Sequence, residues 1–284
     1  MSLLLDEVAR ATSRLAEAGV PSPRGDAEEL AAWAHGVRRG ELHTVSDGAF
    51  DAHFWAALAR RVAREPLQHI TGRAYFRYLE LSVGPGVFVP RPETEVVVGW
   101  AIDALRAMDV ATPIAVDLGT GSGAIALSLA QEVPRVRVFA AEIDERAYAW
   151  AERNVSDNPA GARVRLYRSD FAAVPRELRA TVDLVISNPP YIPLSEWENV
   201  PTEVREYDPP PALWAGDDGL DAIRVVERTA RRLLRPDGVI VVEHGDRQGL
   251  DVPRLFPERR GWRDAVVCRD LAGRDRFVTA RMAP

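Results

Sequence analysis

Lysine is absent from this 284-residue chain: all 36 basic residues are arginine. Proteins that grip long nucleic acid through phosphates carry a surplus of positive charge. Here 42 acidic residues outnumber the arginines, for a formal net charge of −6, and the arginines are scattered. That balance argues against direct nucleic-acid binding. Cysteine is scarce as well. The single Cys268 allows no internal disulfide, which suits a reducing cytoplasm. Together with His35, His43, His53, His69 and His244 it forms no metal-ligand spacing, so no metal is expected. Long apolar runs are missing too. No stretch nears the roughly 18 residues of a membrane span. Leu3-Leu4-Leu5 meets Asp6 and Glu7 at once, which excludes the apolar core of a signal peptide. The 46% apolar content is that of a globular protein, long enough for one large domain and a smaller one.

Residues 1 to about 70 read as short amphipathic helices. Leu4, Val8, Ala11 and Leu15 recur at helical spacing, as do Leu30, Trp33 and Ala34, and Phe54, Leu58 and Val62. Gly19 to Pro23 and Ser46-Asp47-Gly48 supply breaks, and Asp26 with Glu29 three residues on suggests a helix cap. From Ala74 apolar residues alternate through Tyr75-Phe76, Leu79, Leu81 and Val83. Gly84-Pro85-Gly86 then reads as a turn before Val87-Phe88-Val89, which predicts a hairpin joining two domains. Beyond Pro92 strand and helix alternate, which implies a parallel sheet covered on both faces. Strands are expected at 114–117, 136–141, 163–167, 182–187, 238–243, 263–268 and 276–282, and helices at 93–109, 122–131, 145–156 and 219–234. The last two strands are too close for a crossover helix and are expected to pair antiparallel around Gly273-Arg274.

Four strand ends carry the chemistry. Val116 to Ala124 reads as strand, glycine-rich turn (Gly119, Gly121, Gly123) and helix, a pattern in which backbone approaches a ligand closely. Gly119, Gly121 and Ala124 also fit a dinucleotide pattern, so an NAD site stays open at this point. Glu142 ends the next strand, where a carboxylate can accept the hydroxyls of a ribose. Asp170-Phe171 ends the third and could meet an adenine, although Asp170 serves equally as a turn cap. Asn188-Pro189-Pro190-Tyr191 closes the apolar run Val182–Ser187. Two prolines donate no hydrogen bonds, and each residue before a proline is pushed towards extended backbone. The Asn188 side-chain carbonyl and the turn's own carbonyls are acceptors for the two N–H groups of a planar NH2, with the Tyr191 ring to lie against it. An amide or an aromatic amine fits such a seat; an ordinary strand-ending turn is the plain alternative. Arg91, Glu93 and Glu95 read as a helix start behind Pro92, and Glu243 and Asp275-Arg276 as structural anchors.

These blocks resemble the release-factor glutamine methyltransferases (the HemK/PrmC family) among the Rossmann-like class I methyltransferases. The likeness runs through Glu65 to Gly72, Phe88-Val89-Pro90-Arg91-Pro92-Glu93-Thr94-Glu95, Asp117-Leu118-Gly119-Thr120-Gly121-Ser122-Gly123, and Ser187 to Pro193. It continues through Asp218-Gly219-Leu220, Val242-Glu243 with Gly245 and Gln248, and Asp270 to Arg276. It covers roughly residues 60–284, with Glu142 where Asp is common and His244 where Ile is common. The resemblance implies a seven-stranded mixed sheet (91–284) bearing the methyltransferase site. A helical substrate-recognition domain (1–71) precedes it, joined by a hairpin linker (72–90). It implies S-adenosyl-L-methionine as cofactor, S-adenosyl-L-homocysteine as product, and class-1 peptide-chain release factors as protein partners of a cytoplasmic monomer. By position, Gly119, Thr120, Gly121, Ser122, Gly123, Glu142, Phe171 and Asn188 contact the cofactor, joined by Asp170 from the reading above. Asn188, Pro189, Pro190 and Tyr191 hold the substrate glutamine, with Asn188, Pro189 and Tyr191 as catalytic residues. Rival readings are an adenine N6-methyltransferase of DNA or RNA, a glutamine methyltransferase of a ribosomal protein, and a nucleotide-binding module without catalysis.

Overall fold

The computed structural model describes residues 3–45 and 50–284, so the break expected at Ser46-Asp47-Gly48 lies outside the described residues. The chain divides into two compact units, one of Met1–Arg73 with Pro201–Tyr207, the other of Ala74–Val200 with Asp208–Pro284.

The first unit holds the helices α1 (Leu3–Glu17), α2 (Pro23–Ala34), α3 (Ala52–Val62) and α4 (Leu67–Thr71). Their helically spaced apolar residues, Leu4, Val8, Leu15, Leu30, Phe54 and Leu58, meet in one core. Asp26 does not cap a helix. Pro23, with its preset φ, starts α2 three residues earlier, and Asp26 instead takes a 2.7 Å bond from Arg61. Arg61 also reaches Glu203, which receives two bonds from Arg64 as well. Two buried or half-buried arginines on one carboxylate explain why the short α8 (Thr202–Tyr207) belongs to this unit, far away in sequence.

The second unit opens with the hairpin β1 (Arg73–Phe76) and β2 (Leu79–Ser82). Its turn is at Arg77-Tyr78, with Arg77 at φ +52°, and not at Gly84–Gly86 as the sequence suggests. Phe76 and Leu79 both need the apolar side, and a two-residue turn achieves that; Val87 to Val89 run on as loop. Then come α5 (Pro92–Ala107), β3 (Ile114–Leu118), α6 (Ala124–Glu132), β4 (Arg137–Glu142), α7 (Glu145–Asp157), β5 (Val164–Arg168) and β6 (Val182–Ser187). After α8 follow α9 (Asp221–Leu233), β7 (Leu234–Glu243), β8 (Trp262–Arg269) and β9 (Asp275–Met282).

The seven strands from β3 onward form one sheet in the order β5-β4-β3-β6-β7-β9-β8, parallel except for β9, which runs antiparallel to both neighbours. The expected α/β fold and its antiparallel last pair are thus what the molecule has. Successive residues of the inner strands feed opposite cores. Ala115, Leu184, Ile186 and Val239 face α5 and α6, whereas Val116, Val185, Ile240 and Val242 face α9. That two-sided burial is why β6 reads as an unbroken apolar run. The chain winds from β3 outward to β5, then returns to place β6 beside β3. Such a reversal leaves a crevice beyond the carboxyl ends of those two strands. The glycine loop follows β3 and the Asn-Pro-Pro-Tyr turn follows β6, so topology brings together two motifs 65 or more residues apart.

Candidate active site

The loop after β3 is bent by three glycines at φ +77° (Gly119), +56° (Gly121) and +83° (Gly123). The helix expected over 122–131 begins only at Ala124, because Gly123, at the start of that span, is left-handed and caps it instead. Backbone amides of Gly119 and Thr120 both donate to the Ala141 carbonyl, at 2.9 and 3.0 Å. Thr120 turns its hydroxyl inward to Asp117 at 2.6 Å. Asp117 is fully buried, and burial pushes its carboxyl up to about 7, with the Thr120 bond opposing and nearby Glu142 adding to the rise. Ser122 is buried with its carbonyl tied to Asn154 at 2.9 Å. Thr120 and Ser122 therefore shape the loop from within.

Glu142 closes the other wall. One oxygen accepts from Gly121 N at 2.9 Å, the other from the amides of Ile143 and Asp144, each at 2.9 Å. Burial raises its pKa, and those three amides resist the rise. A carboxylate has about four lone-pair sites, so Glu142 clamps the loop and retains little capacity for further donors. Sequence reasoning assigned it only the second task. Asp170 accepts from Ala172 N at 2.8 Å, as a turn cap does, and Asp144 caps α7. The Phe171 ring lies over the glycine loop: a Cβ on Gly119 would stand 3.0 Å from it. Gly119→Ala should therefore cost about 1–2 kcal/mol in backbone strain alone, plus the displacement of Phe171. Gly121→Ala, with nothing within 4 Å, should cost only the strain. Differential scanning calorimetry checks this; the Gly119 variant should melt lower than the Gly121 variant.

Across the crevice, Asn188 points its side-chain NH2 at the Thr94 hydroxyl, 3.1 Å away, and Thr94 donates to Glu243 at 2.7 Å. Tyr191 OH donates to the other oxygen of Glu243 at 3.4 Å. Among the described residues no hydrogen bond ends on the carbonyl oxygen of Pro189. Burial sends the Tyr191 phenol well above its ordinary range, helped by the Glu243 charge, so it stays protonated. The turn is braced from below. Gln248 donates to the Tyr191 carbonyl at 3.0 Å and accepts from Gly245 N at 2.9 Å. Gly219 passes so close that a Cβ would sit 2.4 Å from that same carbonyl.

These contacts explain motifs that no local pattern could interpret. Arg91 pairs with the buried Asp208 at 2.5 Å and lies over the Phe88 ring; burial pushes Asp208 up to about 6 against the pull of Arg91. Glu93 meets Arg274 at 3.3 Å. Thr94 and Glu243 were missed as members of the constellation. The only signal for them was their presence inside the motif blocks, and neither carries chemistry without its neighbours.

Glycine loop, acidic strand end and Asn-Pro-Pro-Tyr turn at one crevice of this sheet define a class I methyltransferase. The PrmC N-terminal domain model matches residues 7–72, and the methyltransferase small domain model residues 102–200. A release factor glutamine methyltransferase of Streptomyces coelicolor is 66% identical over 283 residues, covering 100% of this chain and 99% of that one. Another, from Mycolicibacterium smegmatis, is 43% identical over 99% of this chain and 98% of its own. A 4-amino-L-phenylalanine/4-methylamino-L-phenylalanine methyltransferase of Streptomyces pristinaespiralis is also 43% identical, over 94% of this chain and 91% of its own. Among solved structures, the hMettl16 catalytic domain shares the fold, at TM-score 0.54 and 14% identity over 72% of this chain and 75% of that one. The chain belongs to the release factor glutamine methyltransferase family, whose members are S-adenosylmethionine-dependent enzymes.

Proposed function

We propose that this chain methylates the side-chain amide nitrogen of the glutamine in the Gly-Gly-Gln motif of class-1 release factors. The observation that carries the reading is the Asn188–Thr94 bond, which leaves Asn188 Oδ1 free to accept. S-adenosylmethionine supplies a methyl on a sulfonium sulfur; the N–C bond forms as the S–C bond breaks, leaving S-adenosylhomocysteine. The residues present fit it. Gly119, Gly121 and Gly123 keep the loop free of side chains, Phe171 offers a ring face beside it, and Glu142 takes a ribose hydroxyl in exchange for a loop amide. Asp170 would face the adenine. Thr120 and Ser122 contribute through the loop backbone.

On the substrate side, the amide nitrogen is a poor nucleophile because its lone pair is delocalised into the carbonyl. Positive charge grows on it during attack. Asn188 Oδ1 and the Pro189 carbonyl accept its two hydrogens and stabilise that charge more than the ground state. Pro190 stiffens the turn, and Tyr191 lies against the amide plane. The proton leaves to water after transfer, so no strong base is needed.

Residues 1–71 serve as the recognition domain for the protein substrate, 72–90 as the linking hairpin and 91–284 as the methyltransferase domain; a monomer without nucleic-acid contact suffices. A chain starting at Gly72 should still bind cofactor and lose rate on release factor. It should carry Glu203→Gln, so that no carboxylate is stranded without Arg61 and Arg64. Full activity of that truncation would sink the recognition role. A second reading is an aromatic amine as acceptor, favoured by the 43%-identical aminophenylalanine methyltransferase. Labelled S-adenosylmethionine offered with release factor, ribosomal protein, 4-aminophenylalanine or DNA separates the readings. Label should pass to the release-factor glutamine alone, and transfer only to another acceptor would overturn the proposal.

A further inference from the structure

Thr94 has one hydroxyl hydrogen and two neighbours within hydrogen-bond distance, Glu243 Oε2 at 2.7 Å and Asn188 Nδ2 at 3.1 Å. All of them are at least half-buried, and Thr94 and Glu243 are 4% and 1% exposed. An ionised carboxylate can only accept. The Thr94 hydrogen therefore goes to Glu243, and the Thr94 oxygen is left to accept from Asn188. The donations run one way, from Asn188 to Thr94 to Glu243. That direction decides which edge of the Asn188 amide faces the crevice. The other Glu243 oxygen holds Tyr191 OH, so one carboxylate governs two members of the tetrapeptide.

We propose that Glu243, acting through Thr94, is the positioning residue that turns the Asn188 carbonyl towards the substrate amide. The inference rests on the reading of Asn188 as the substrate's acceptor. With Glu243 protonated, the carboxyl becomes a donor and the chain of bonds can reverse. Thr94 then donates to Asn188 Oδ1, and Asn188 presents its NH2 to a substrate NH2. Two donors face one another and the acceptor is lost.

The groups that set the charge of Glu243 lie on every element around it: Thr94 and Glu93 on α5, Tyr191 after β6, and Arg276 on β9. Burial raises its carboxyl to about 7; Thr94, Arg276 and Tyr191 oppose the rise and Glu93 adds to it. Arg276 is itself anchored on Asp270 at 3.3 Å. The methyl-transfer rate should accordingly fall as pH drops through about 7 and level off above it.

Four variants, three single and one double, test the relay by single-turnover methylation of release factor, cofactor titration and pH profile. Thr94→Val removes the hydroxyl at constant shape, and Glu243→Met removes the carboxylate at similar length. Each should slow transfer about tenfold, the population shift that one misdirected hydrogen bond imposes, with cofactor affinity unchanged. The Glu243→Met profile should lose the step near pH 7. Thr94→Ser keeps the hydroxyl and should keep both the rate and the pH step. The Thr94→Val/Glu243→Met double variant should be no slower than Glu243→Met alone, because both changes cut the same chain of bonds from Asn188. A normal rate in both single variants, fully additive losses, or a pH step that survives Glu243→Met would overturn the relay. Asn188→Ala is measured alongside. If it is slow while the relay variants are normal, the relay alone fails; if it is also normal, the reading of Asn188 fails.

Discussion

Asn188→Ala should slow methyl transfer to release factor by about 10²–10³, the loss expected on removing one preorganised electrostatic partner of a transition state. The magnitude follows from what the side chain does in the crevice. Its NH2 edge is spent on Thr94, so its carbonyl is aimed outward at no further cost when charge develops on the substrate nitrogen. Alanine leaves the Pro189 carbonyl as the remaining acceptor and water to fill the gap, and water must reorganise during the reaction. Cofactor affinity should fall far less, because the glycine loop, Glu142 and Phe171 are untouched. Single-turnover kinetics beside a calorimetric titration of S-adenosylmethionine separates the two quantities. A near-normal rate would reduce Asn188 to a strand-end cap, and the aromatic-amine and amide readings would both lose their acceptor.

Glu142→Ala should weaken cofactor binding by roughly 1.5–3 kcal/mol, the cost of losing hydrogen bonds to a charged acceptor, or about one to two decades in Kd. Two effects act together. The amides of Gly121, Ile143 and Asp144 lose their acceptor, so the glycine loop is no longer drawn to β4, and on the proposed reading the ribose would lose one as well. The sheet itself should stay folded, since β4 remains paired with β3 and β5 along its length. Glu142→Gln keeps one oxygen for the loop and should fall between wild type and the alanine variant. Calorimetry showing wild-type affinity for the alanine variant would remove Glu142 from the cofactor site, whatever its role in the loop.

The catalytic unit was largely legible in the sequence because its signals are local. An unbroken apolar run bounded by turn residues marks β6, and the expected 182–187 is the observed span. Helical spacing located α1, α3 and α9 within a few residues. Local signals failed where two local solutions compete. Gly84-Pro85-Gly86 offered a turn, but pairing Phe76 and Leu79 on one side required the turn at Arg77-Tyr78. Asp26 offered a cap, but Pro23 had already started the helix and a buried Arg61 needed a counter-charge. Fold class and the positions of the acceptor turn and glycine loop were determined by sequence alone, since periodicity and backbone restriction act over a few residues. The relay from Asn188 through Thr94 to Glu243 spans 149 positions along the chain between its last two members. Only the tertiary structure decided it, because the direction of a hydrogen bond depends on which donors and acceptors the folded sheet places within 3 Å or so of one another. No spacing rule connects a threonine at a helix start to a glutamate at a strand end.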